Sequence, residues 1–138
     1  NNIWRFVMYF KKICQSVLIM ASILFLGCET EAREGEAELR RGVSIINKHY
    51  PKMMPSGRCR AEKASVYKGT LRFHYTSFIS GTVSYQKAIF WPDVITRSKA
   101  PNLSKLIMKQ GALYHEYRDK RGNFLFLFKV TPEDLKRF

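Results

Sequence analysis

The feature that most constrains this chain is a 15-residue stretch, Ile13 to Gly27 (ICQSVLIMASILFLG), that carries no charged side chain. Lys11 and Lys12 stand directly before it and Cys28 directly after it. An α-helix needs about 20 apolar residues to cross the hydrocarbon of a bilayer, so the run is short for a stable transmembrane segment. A basic start followed by an apolar core of this length is the layout of a secretory signal peptide. The run therefore divides the chain before any fold is considered. Residues 1–27 are expected to serve delivery, and a folded domain is expected only beyond them. The sequence opens with Asn-Asn, while Met8 lies just upstream of the lysines; translation is expected to start at Met8.

The junction Leu26-Gly27-Cys28 resembles the processing box of bacterial lipoprotein precursors, in which a small residue precedes the cysteine that receives lipid. Phe25 departs from that pattern, standing where the family usually has Leu, Val or Ile. The resemblance implies lipidation at Cys28 and a cell-envelope protein anchored in a membrane, facing the periplasm or the exterior. Acyl chains contribute about 0.8 kcal/mol per buried methylene, so several on one cysteine hold a protein at the bilayer. On the residues alone two alternatives stay open: an ordinary secretory signal, or an uncleaved anchor with Cys28 as a plain thiol. Glu29 follows Cys28, not the Asp that resembles an inner-membrane retention signal. The acidic stretch beyond resembles the export tags of some surface lipoproteins of Bacteroidetes-type bacteria.

Charge sets a second boundary. Five glutamates and one arginine occupy Cys28 to Glu38, whereas Leu39 to Phe138 hold 20 Lys and Arg against 6 Asp and Glu. Residues 28–37 read as an acidic spacer and residues 38–138 as a basic domain. About 100 residues suffice for a core of modest stability.

The domain reads as α+β. Leu39, Val43, Ile46 and Tyr50 recur on one face of a 3.6-residue period, and Pro51 ends that helix. Ala64 to Tyr67, a turn near Lys68-Gly69, and the alternating Leu71, Phe73 and Tyr75 form a hairpin with one packed and one wet, basic face. Phe78 to Tyr85 reads as a loop. Trp91-Pro92 is expected to open a short helix through Ile95, since proline suits the first helical position. Asn102 is the expected cap of a helix over Leu103 to Lys109, with Gly111 as its stop. A second hairpin joins Leu113–Tyr117 to Phe124–Val130 through the turn Asp119-Lys120-Arg121-Gly122-Asn123. FLFLFKV (Phe124–Val130) is apolar on both faces, which suits the sheet centre or a place under helices rather than an exposed edge. Thr131-Pro132-Glu133-Asp134 caps a last helical turn. The expected order is α-ββ-α-ββ: a four-stranded, mainly antiparallel sheet with helices on one face.

INKHYP (Ile46 to Pro51), FHYT (Phe73 to Thr76) and EYRDKRGN…FLFKVTPEDL (Glu116 to Leu135) together resemble an uncharacterised domain of small secreted proteins and lipoproteins of Bacteroidetes-type bacteria. Related sequences often carry Cys before the proline that ends the first helix; Tyr50 stands there in this chain. The resemblance implies fold and export and brings no activity.

His49, His74 and His115 show no metal-ligand spacing, and His115 and Glu116 fall on opposite strand faces. These histidines read as surface or sheet-face residues. Cys14 lies in the apolar run, and Cys59 reads as a small buried hydrophobe; a Cys28–Cys59 disulfide is open only without lipidation. No phosphate loop, nucleophile elbow or paired-carboxylate constellation is present, so neither an enzyme nor a cofactor is expected. The remaining functional mark is basic charge: Arg58, Arg60 and Lys63; Arg97, Lys99, Lys105 and Lys109; Arg118, Lys120 and Arg121. Beside a membrane these suit anionic lipid headgroups or phosphorylated envelope glycans. The expected function is a non-catalytic binding or structural module of the envelope. Its rivals are a nucleic-acid or anionic-polymer binder, opposed by the export signal, and an interaction or immunity-type partner of another envelope protein.

Overall fold

The structure is a computed structural model and describes residues 35–138. It divides into two units, Asn1–Glu38 and Leu39–Phe138, and the account below concerns the second. The expectations for the apolar run, Cys28 and the start of the acidic spacer lie outside the described residues.

Helix α1 (residues 35–47) presents Leu39, Val43 and Ile46 to the core, as the period requires. Five strands follow in chain order and in spatial order: β1 (Lys52–Met53), β2 (Cys59–Tyr67), β3 (Thr70–Ser77), β4 (Leu113–Arg118) and β5 (Phe124–Val130). The fold is α+β as expected, with five strands instead of four. The extra strand, β1, pairs only through Lys52↔Ala61 and Met53↔Arg60, too short to leave an alternation in the sequence. Beyond it the β2 edge is closed by a side chain. The amide of Asn47 accepts from the Ala64 N–H (2.7 Å) and donates to the Ala64 carbonyl (3.0 Å), as a neighbouring strand would.

The β2–β3 hairpin turns at Lys68 (φ 48°) and Gly69 (φ 73°). Both central residues are left-handed, which is the geometry that matches strand twist. Strands β3 and β4 are parallel, and parallel neighbours need a crossover rather than a tight turn. Helices α2 (Val83–Ser98) and α3 (Pro101–Gln110) supply it. Helix α2 corrects the expectation of a short helix opened at Trp91-Pro92. Thr82 caps it, accepting from the Tyr85 N–H, and Pro92 sits inside it. Pro92 and Ala88, one turn earlier, are both exposed, so the carbonyl that proline leaves unmatched faces water. The loop accordingly ends at Thr82 instead of Tyr85. Helix α3 begins at Pro101 with Ala100 as cap, displacing Asn102, and ends at Gly111 (φ 85°) as expected.

Strand β5 lies at the edge of the sheet rather than its centre, and of the two places expected for it takes the one under helices. Its inner face lies under α2: Phe126, Phe128 and Val130 are buried and Phe90 and Trp91 pack on them. The outer face stays half-exposed at Leu125 and Leu127. The last helix, α4 (Pro132–Arg137), carries the expected cap: Thr131 and Asp134 exchange side-chain and backbone hydrogen bonds.

All four helices contribute to one side of the sheet, where Leu39, Phe90, Val94, Ile95 and Ile107 meet the strands and Leu135 packs at the margin. Register sorts the strand residues on that side into two rows, Phe73–His115–Phe128 and Tyr75–Tyr117–Phe126. The Tyr75, Tyr117 and Phe126 rings stack at 4.7 and 4.9 Å, with Phe90 over Tyr117 at 4.6 Å. Such aromatic pairs add about 0.5–1.5 kcal/mol each beyond their buried area.

Asn47→Ala removes both bonds to the β2 edge. Stability is expected to fall by about 1–3 kcal/mol, read from urea unfolding; a loss under about 0.5 kcal/mol would contradict the role given to that amide.

Candidate functional site

The second face of the sheet carries the chemistry. Here β2 contributes Arg60, Lys63 and Ser65, β3 contributes Arg72, His74 and Thr76, and β4 contributes Tyr114, Glu116 and Arg118; alternation places them, and an irregularity between Ala61 and Lys63 keeps Arg60 and Lys63 on one face. Register places Lys63, His74, Glu116 and Leu127 in one row across four strands. Glu116 is thus flanked by His74 across the ladder, by Arg72 on the diagonal and by Arg118 two residues along its own strand.

Glu116 is only 1% exposed, although the described helices pack on the other face. Its own neighbours bury it. Oε1 accepts from Arg118 Nε (3.0 Å) and Nη2 (2.7 Å), and Arg72 Nη2 lies 3.1 Å away. Oε2 meets His74 Nδ1. Burial pushes the carboxyl up, but the Arg118 hydrogen bonds and the charges of Arg72 and Arg118, with that of His74 once it is protonated in acid, outweigh it and hold Glu116 below the ordinary carboxylate range. Arg118 is fixed further by donation from Nη1 to the Gly122 carbonyl (2.9 Å). The Asp119–Asn123 turn is knit by Asp119 Oδ1, which accepts from the N–H groups of Arg121 and Asn123. The Arg72 guanidinium lies 4.6 Å over the Tyr67 ring, and Tyr67 meets Tyr114 edge-on at 4.9 Å.

His74 Nε2 and Ser65 Oγ share a hydrogen bond of 2.8 Å. Burial lowers the His74 pKa more than Glu116 raises it, so the ring is neutral at pH 7. With Nδ1 turned to a carboxylate, the proton sits on Nδ1 and Nε2 accepts from the serine. Ser65–His74–Glu116 follows the order of a nucleophile, base and acid. Acyl transfer also needs donors aimed at a developing oxyanion. Ser65 lies in the β2–β3 ladder opposite Arg72, and the described helices pack on the other face. Two arginines also absorb the Glu116 charge. The arrangement buries a carboxylate.

Around these groups lies a depression of about 440 Å³ lined by Glu62, Lys63, Arg72, His74, Tyr75, Thr76, Glu116 and Arg118. Glu62 is paired with Arg60 at its rim. Of the basic residues singled out in the sequence, Arg60, Lys63 and Arg118 therefore converge on this face, joined by Arg72. Arg97 instead turns into the core side, where its Nη2 donates to Tyr117 Oη (3.1 Å) and its guanidinium lies 4.8 Å over Tyr75.

The histidines part company. His49 is exposed, His74 belongs to the open-face cluster, and His115 is 1% exposed in the core, sharing a 2.9 Å hydrogen bond with Tyr75 Oη. Among the described residues no group of three or more His, Cys, Asp or Glu is placed to hold a metal ion. Cys59 is a free, buried cysteine, as its reading as a small hydrophobe implied, and burial pushes its thiol up to about 11. Phe73 and Tyr75 are buried, which removes them as a stacking platform for nucleic-acid bases. Cys28 lies outside the described residues.

No protein-family model and no curated protein matches the chain. Its fold is similar to solved structures. One is the pilotin EpsS from the type 2 secretion system of Vibrio vulnificus, with TM-score 0.61 and 11% identity, covering 78% of this chain and 96% of that one. Another is the type II secretion system pilotin AspS from Vibrio cholerae, with TM-score 0.60 and 12% identity, covering 78% and 97%. A third, from Pseudomonas aeruginosa and described as a secreted protein, has TM-score 0.57 and 9% identity, covering 74% and 93%. At such identities the likeness is one of fold.

The buried His115 has a consequence for stability. Burial, with the Arg97 charge behind it, pushes its pKa from 6.5 down to about 3. Between those values the unfolded chain binds one more proton than the native one, so stability falls as pH drops below 6.5, by up to about 1.4 kcal/mol per pH unit. Urea midpoints at pH 7 and pH 5 should therefore differ less in His115→Phe than in the unmodified chain. Equal differences would contradict the assignment.

Proposed function

We propose that this chain is an exported, non-catalytic module of the cell envelope, anchored to a membrane through lipid on Cys28 and serving as a docking protein of a pilotin-like kind. The carrying observation is the match of one compact domain to nearly the whole length of two pilotins, 96% and 97% of their chains. The sequence before that domain supports the same reading. An apolar run, Leu26-Gly27-Cys28 and an acidic spacer (residues 28–37) form the order of a signal peptide (residues 1–27), a lipid anchor and a tether. The domain proper spans residues 38–138.

The chemistry of the described residues also favours binding over catalysis. Glu116 is neutralised by two arginines, Cys59 is held as a thiol, and His115 is sealed beneath the sheet. In this reading the partners are the membrane, through the anchor, and a protein of an envelope secretion assembly. The chain faces the periplasm or the cell exterior.

Fatty-acid labelling of the expressed chain beside its Cys28→Ala variant tests the anchor. Label on the unmodified chain and none on the variant is the expected result. Label on both, or on neither, would contradict it.

A further inference from the structure

We infer that the depression on the open face of the sheet binds a phosphorylated sugar, with Arg72, Arg118 and Lys63 taking the phosphate. This inference stands apart from the anchoring reading, because it concerns strands β2 to β4 and holds whether or not Cys28 carries lipid.

Charge is the first reason. Lys63, Arg72 and Arg118 line the depression and Arg60 stands at its rim, against Glu62 and Glu116. Both acids already have partners within the cluster, so the surplus is positive and belongs to side chains that reach solvent. Arg118 is 46% exposed and Lys63 is exposed as well.

Preorganisation is the second. A surface arginine ordinarily loses rotamer freedom when it captures an anion. Here that ordering is done beforehand: Glu116 fixes Arg72 and Arg118 from below, the Gly122 carbonyl holds Arg118, and the Tyr67 ring backs Arg72. A guanidinium held by a carboxylate on one edge still offers charge and N–H groups on another, and phosphate suits that planar fork.

Size and lining give the third. A volume of about 440 Å³ falls in the range of small-ligand sites and exceeds what a bare phosphate fills. The Thr76 hydroxyl and the Glu62 carboxylate, on the same wall as the cations, suit the hydroxyls of a sugar ring. Three cations ordered around one depression fit a soluble or glycan-borne phosphate better than the diffuse charge of a bilayer. The face is also poor for nucleic acid, since its aromatic rings Tyr67 and Tyr114 pack on each other.

The test is calorimetric titration of the full chain, held in non-ionic detergent micelles, with glucose 1-phosphate, inorganic phosphate and glucose. The expected result is one-to-one binding of glucose 1-phosphate, weaker binding of phosphate and none of glucose. Arg118→Gln and Lys63→Gln should each weaken binding about tenfold, the equivalent of one charge-assisted contact; Lys105→Gln, on α3, should leave it unchanged. Lys63 makes no bond to Glu116 among those described, so its variant reports on the site even where Arg118→Gln disturbs the fold. Phosphate binding as tightly as the sugar phosphate would overturn the inference, as would equal loss in all three variants. So would adherence to phosphatidylglycerol vesicles or duplex DNA without one-to-one binding of the soluble ligand.

Discussion

The carboxylate of Glu116 lies on the sheet face opposite the described helices, yet it is 1% exposed. Burying an unpaired carboxylate costs several kcal/mol, so everything around it is arranged against that cost. Two guanidinium groups and an imidazole meet its oxygens; Arg118 comes from Glu116's own strand, and the parallel β3–β4 register brings Arg72 and His74 alongside it. The register in turn depends on the α2–α3 crossover, whose helices pack on the opposite side. One set of pairings thus builds both faces. Phe73, Tyr75, His115 and Tyr117 turn inward to the aromatic rows while Arg72, His74, Glu116 and Arg118 turn outward to the cluster. A shift of one residue in β4 would exchange His115 for Glu116 and fail on both faces at once.

Local chemistry in the sequence is legible wherever a structure is local. The Lys68-Gly69 turn, the Asp119–Asn123 turn, the Gly111 stop and the Thr131–Asp134 capping box each depend on residues within five positions of one another, and each stands where expected. The face of α1 is legible for the same reason. What the sequence does not disclose is set by distance. Strand β1 is two residues long, and β5 occupies an edge because α2 shelters one of its faces, a fact of tertiary packing. Helix α2 tolerates Pro92 because the freed carbonyl faces water, which propensity alone does not reveal. Arg72, His74, Glu116 and Arg118 carry a signal, the polar positions of two alternating strands, but 35 residues between β3 and β4 hide their register. The basic surplus and the wet, basic face of the first hairpin are legible; the arrival of Glu116 and Arg118 from β4 on that same face is not.

The division of labour between the faces bears on function. The helix-covered side is consumed by packing, including a neutral His115 and an Arg97 drawn onto tyrosines. The open side keeps its charge, in a form already ordered by its own buried carboxylate. The two faces of one sheet thus carry opposite chemistry, aromatic packing within and ordered positive charge without.

The central claim is that Glu116 is an ionised carboxylate held by Arg118, His74 and Arg72 at the floor of the open face. Carbon-detected NMR titration of the glutamate side-chain carboxyls reads this directly. The account predicts a midpoint for Glu116 below the ordinary value of 4.5, with the Arg118 guanidinium signals moving in the same transition. A midpoint at or above 4.5 would mean that burial prevails over the arginines, and the organisation described for this face would be wrong.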